Sequence, residues 1–159
     1  MQAEGIVDQV DALNLALEAQ DVSAFLGALE NAHPADVADW FEDLDGDEKQ
    51  QALSFLDRDW AAQLLEHLAD NDVEGVFRFY DAPTRRAILE RLQDDDRVDV
   101  LQDVEPDFRS SLIALLPAAE RGTTETLLEF PEETAGGRMT TSFASVKETR
   151  TVRQAVKNL

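Results

Sequence analysis

The chain has 159 residues, room for one domain and part of another, and 43% of them are hydrophobic, enough to build a core. Lys and Arg number 14 against 34 Asp and Glu, and the net charge of −20 repels nucleic acid and anionic lipid while favouring divalent cations and basic partners. The lack of cysteine excludes disulfides, thiolate catalysis and thiolate zinc sites, and no apolar run approaches the roughly 20 residues that span a bilayer.

Met1–Val10 lacks the apolar stretch of a secretion signal. Residues 1–19 are expected to form one helix, with Ile6, Val10, Leu13 and Leu17 on a stripe. Asp21 is placed to cap a second helix carrying Val22, Phe25, Leu26 and Leu29 at the same spacing. A repeat of twelve residues then takes over. Its units are Ala35–Leu44, Asp47–Leu56, Asp59–Leu68, Asn71–Tyr80, Pro83–Leu92, Asp95–Val104 and, one residue early, Pro106–Leu115. Apolar residues recur at positions 6, 7 and 10 of each unit, often with position 3 or 4. That spacing marks one face of an α-helix, about 15 Å long for ten residues. Helices this short are unstable alone, so each must bury its stripe on its neighbours, which predicts a solenoid of either hand. The pattern places Trp40, Phe41, Leu64, Leu65, Phe77, Leu89, Leu101 and Leu112 in the core. Pro34, Pro83, Pro106 and Pro117 stand at helix starts, where a missing N–H costs nothing. Leu127, Leu128 and Phe130 suggest one last helix despite the weak helix formers Gly122, Thr123 and Thr124.

At Pro131 the composition changes, and Gly136-Gly137 reads as part of a hinge. Phe143–Val146 is consistent with a short strand, and Thr151 with the cap of a helix presenting Val152, Ala155, Val156 and Leu159. One strand and one helix cannot enclose a core. The organisation expected is therefore an all-helical domain over 1–130 and the beginning of a second domain over 131–159.

Little here suggests a reaction. His33 precedes a proline and His67 occupies a polar position; neither belongs to a metalloprotease or triad pattern. Asp43–Glu48 superficially resembles a calcium loop, but the places that need Gly and Glu hold Glu48 and Ser54, so an acidic turn between helices is expected. Asp95, Asp99 and Asp103, spaced i, i+4, i+8 after Asp94, put three carboxylates on one exposed helix face. Like charges at that spacing oppose the helix by roughly 0.2–0.5 kcal/mol per pair. A hard divalent cation such as Mg²⁺ would relieve them, with a second surface completing its shell. Asp36, Asp39 and Asp43 form a similar stripe, and a solvated acidic surface is the plainer reading of both.

HPADVADWFEDLDGDEKQQALSFLD followed by tandem short helices resembles the N-terminal domain of the MgtE family of magnesium transporters. The junction Phe130-Pro131-Glu132-Glu133-Thr134-Ala135-Gly136-Gly137-Arg138-Met139-Thr140 is similar to the family's link into its first CBS domain, and the segment after it to a CBS opening. The resemblance runs from about Leu13 to Leu159. It implies an all-α, right-handed superhelix of about ten short helices on the cytosolic side of the membrane, followed by a truncated CBS fragment. It also implies a homodimeric transporter whose own CBS domains and transmembrane pore are this domain's partners. Mg²⁺ would bind between the domain and the CBS pair and hold the channel closed when it is plentiful. The metal residues implied are Asp95, Asp96 and Asp99, with weak Mg²⁺ binding by this segment alone and other divalent cations accepted. Arg97, at a place usually apolar, is expected to offset part of the local charge, and Gln63 stands where some members carry an acid. A rival reading is a protein-interaction scaffold, since similar helices occur in a flagellar motor switch protein; neither reading involves catalysis.

Overall fold

The structure, a computed structural model, describes residues 2–130, with side chains from residue 9 onward. The expected hinge, strand and closing helix of 131–159 lie outside the described residues. Ten helices make up the rest, with no strand among the described residues. They are α1 (Gln2–Glu18), α2 (Val22–Leu29), α3 (Pro34–Glu42), α4 (Gly46–Phe55) and α5 (Arg58–Leu65), then α6 (Asp70–Phe79), α7 (Ala82–Leu89), α8 (Asp94–Gln102), α9 (Pro106–Ile113) and α10 (Ala118–Leu128).

The repeat is more regular than the apolar pattern indicates. The N-caps of α2 to α10 are Asp21, His33, Asp45, Asp57, Ala69, Asp81, Gln93, Glu105 and Pro117, each twelve residues after the last. Thus α2 and α10 belong to the repeat, and the unit at Pro106 is in step rather than early. Four of these caps are aspartates whose carboxylates accept backbone N–H bonds within the next three residues. Part of the acidic composition therefore serves to start helices. Asp45 goes further and forms a capping box with Glu48, so the acidic Asp43–Glu48 segment is a turn between helices, as expected. Ala69 offers no cap, and Glu42 of α3 accepts from its N–H at 2.7 Å instead.

Helices α3, α5, α7 and α8 end earlier than the units suggest. Their last apolar residue falls in the turn beyond, where bonds such as Leu44 N–H to Phe41 O (3.2 Å) and Arg91 N–H to Ile88 O (2.9 Å) tighten the chain. Leu68, Leu92 and Val104 are nonetheless buried there, anchoring each turn to the core.

Packing runs between next-but-one helices. One row contains α3, α5 and α7; the other contains α2, α4 and α6, and α8 lies against α10. The chain thus zigzags between two layers, and the apolar stripes meet between them in one continuous core. All eight residues assigned to the core from the pattern are buried, the most exposed being Trp40 at 5%. Of the α2 stripe only Phe25 and Leu29 are buried. Val22 and Leu26 remain exposed, although α2 packs on both α1 and α4.

Candidate functional site

The start of α8 departs from the aspartate-capped pattern of α2, α4, α5 and α7. Gln93 provides no side-chain cap, and Asp94, Asp95 and Asp96 fill the first turn, where the helix dipole favours negative charge. Sequence spacing places Asp95, Asp99 and Asp103 together on an exposed face. In the structure Asp99 and Asp103 are exposed, but Asp95 and Asp96 are half-buried. The Oδ1 of Asp95 is buried without a hydrogen-bond partner. An orphaned carboxylate oxygen is costly unless a donor or a cation comes to it.

The end of α5 faces the same place. Glu66, its C-cap, has a carboxyl held above the ordinary value, first by partial burial and then by the charge of Asp96. His67 opposes that rise and Asp95 adds to it. Asp96 is raised in turn by burial and by Asp95, again opposed by His67. His67 also lies against His33, their ring centroids 6.2 Å apart, and His33 Nδ1 accepts from Ala35 N–H to start α3. Three helix ends therefore converge on a patch of carboxylates and imidazoles. The 12-residue period shows no sign of this, because Glu66 and Asp95 stand 29 positions apart. Gln63, half-buried on α5, is no acid, so Glu66 is the carboxylate that α5 brings to α8.

Arg97 does more than dilute charge. It is 4% exposed, and it donates from Nε to Leu89 O (2.8 Å), from Nη2 to Leu92 O (2.8 Å) and from Nη1 to Asp94 Oδ1 (3.2 Å) and Thr124 Oγ1 (3.4 Å). Arg85, Arg109 and Arg121, at the same place in their repeats, likewise bond carbonyls at the end of the preceding helix. This ladder of arginines four residues after the N-cap was legible as a period of twelve, once the caps were known.

The earlier stripe is elsewhere. Asp36, Asp39 and Asp43, with Glu18 and Glu48, line a groove of 560 Å³ over Val10, Leu17, Trp40 and Leu44. Trp40 is fixed in its floor by donating Nε1–H to Asn14 Oδ1 at 2.7 Å.

Oxygen donors of this kind suit Mg²⁺, which takes one or two carboxylates and keeps several waters. The unpartnered Asp95 oxygen fits such an ion. The shell is incomplete, however: no three Asp, Glu or His among the described residues converge as a closed metal site. Among the described residues, no helix is long and apolar enough to cross a membrane.

Comparison with known proteins shows the family of the chain. Residues 32–133 match the family described as MgtE intracellular N domain. The chain is 32% identical over 150 residues to the magnesium transporter MgtE of Thermus thermophilus, covering 92% of this chain but 33% of that protein. A crystal structure of the cytosolic domain of the Mg²⁺ channel MgtE in complex with ATP superposes with a TM-score of 0.85 at 31% identity, over 94% of this chain and 61% of that one. The crystal structure of the soluble part of a magnesium transporter, at 23% identity and a TM-score of 0.81, shares the fold. The chain spans about a third of the length of the curated relative and belongs to the family of the MgtE intracellular N domain.

Proposed function

We propose that this chain is the cytosolic, Mg²⁺-responsive arm of a homodimeric magnesium channel, and that Asp95, Asp96 and Asp99 are its half of an interdomain metal site. The observation that carries the reading is the buried, unpartnered Oδ1 of Asp95 beside carboxylates whose ionisation burial and mutual repulsion already oppose. Residues 131–159 would open the first CBS domain, and a CBS surface would supply the missing ligands. The ion, once bound, contributes the positive charge that lets two like-charged surfaces meet. Without it, the carboxylates of α8 repel the facing domain and the arm swings away. The leverage of such a switch is limited to the difference in Mg²⁺ affinity between the closed and open states. An isolated arm offers too few ligands, so its own binding is weak.

The test is Mg²⁺-dependent protease protection of the interdomain linker in a full-length transporter carrying this domain. Asp95→Asn with Asp99→Asn should raise the Mg²⁺ midpoint about tenfold or more, as expected when ligands of a shared site are lost. Asp36→Asn with Asp39→Asn removes the same charge from the separate groove and should leave the midpoint within about twofold, because those carboxylates line another groove and supply no ligand to this ion. Equal shifts would mean diffuse electrostatics instead of a site. No shift in either would make the arm a passive scaffold.

A further inference from the structure

A buried guanidinium is a poor way to gain stability. Replacing buried charged groups by apolar residues of similar volume is often neutral or stabilising. The repeat itself shows the apolar solution, since the places equivalent to Arg97 in α2, α3, α5 and α6 hold Phe25, Val37, Ala61 and Val73, all buried. At α8 the charged solution is also the most fully engaged of the ladder. Arg97 uses Nε, Nη1 and Nη2, whereas the Nε atoms of Arg109 and Arg121 are buried without acceptors. Its bonds fall on the elbow that precedes the acidic turn. Leu89 O ends α7, Leu92 O lies in the link, Asp94 opens α8, and Thr124 belongs to α10, against which α8 packs. Gln93 contributes no side-chain cap bond, and the elbow is held to the core by the buried Leu92 together with the Arg97 bonds.

We propose that Arg97 is a positioning residue for the acidic face of α8: it touches no ligand, and by clamping the α7–α8 elbow to α10 it holds Asp95 and Asp96 at the stance that receives Mg²⁺. The inference rests on the Mg²⁺ reading above. Groups behind a metal's ligands typically set affinity by fixing ligand orientation. The clamp depends on the planar fork of the guanidinium, whose donors reach four separate acceptors at once. A lysine keeps the charge and loses the fork.

The experiment uses the 159-residue chain, labelled for NMR, with Mg²⁺ alone as titrant and the Asp95, Asp96 and Asp99 amides as reporters. Arg97→Lys should displace those amides before any metal is added and weaken the Mg²⁺ midpoint about tenfold, the lower end for loss of such a supporting group. Arg109→Lys breaks the equivalent clamp one repeat later and should leave that midpoint unchanged, although urea melts should show both variants destabilised. Arg97→Met, apolar like its counterparts in other repeats, guards against a failure to fold and should weaken the midpoint as Arg97→Lys does. A wild-type midpoint in Arg97→Lys, or equal midpoints in the Arg97 and Arg109 variants, overturns the positioning role and leaves the Mg²⁺ reading standing. If the wild-type α8 amides do not respond to Mg²⁺ at all, the Mg²⁺ reading fails and the positioning role falls with it.

Discussion

Leu65→Ala tests the repeat at its centre. Leu65 is 1% exposed on α5, the middle helix of its row, which packs on α3 at one side and α7 at the other. The truncation removes three carbons from the core, worth about 2.4 kcal/mol at about 0.8 per buried carbon. A helix held on both sides cannot collapse into the space, so a cavity cost should add to this and bring the loss to about 3–5 kcal/mol. With a urea dependence of about 1–3 kcal/mol/M, the unfolding midpoint should fall by about 1–5 M. Leu15→Ala is the matched control. Leu15 is 69% exposed on α1, and the same chemical change there should stay within about 0.5 kcal/mol. The two variants should be melted side by side, followed by far-UV circular dichroism. A loss below about 0.5 kcal/mol for Leu65→Ala, or equal losses for both, would refute the two-layer packing.

The capping box at α4 gives a second test: Asp45→Ala frees the N–H groups of Asp47 and Glu48 and should cost about 1 kcal/mol, read by the same urea melt. Asp81 gives a pH test. Its carboxyl is held below the ordinary 3.8 chiefly by its hydrogen bond from Thr84, so its charged form favours the fold. That contribution is present in full above 3.8 and is lost as pH falls through the depressed value. Asp81→Ala should therefore melt below wild type at neutral pH, and the gap should narrow in acid below that range; a gap that is the same at every pH would show that the charge plays no part.

The ten helices and their buried faces were legible in sequence because a helix buries a stripe, and the spacing of Trp40, Phe41, Leu64, Leu65, Phe77, Leu89, Leu101 and Leu112 records it directly. The prolines and Asp21 marked helix starts for an equally local reason: each acts on backbone groups within one turn of itself. The acidic turn of α8 was also visible, since charge is written in composition. What no local pattern holds is which stripe meets which. The next-but-one layering sets Glu66 and His67 against Asp95 and Asp96, pairs His33 with His67, and leaves Val22 and Leu26 uncovered. It also decides what Arg97 does: by sequence it is a charge misplaced on an apolar stripe, and only the carbonyls of Leu89 and Leu92, brought to it by the turn of the chain, make that burial tolerable. Burial depends on the partner surface, and the partner surface belongs to the tertiary fold.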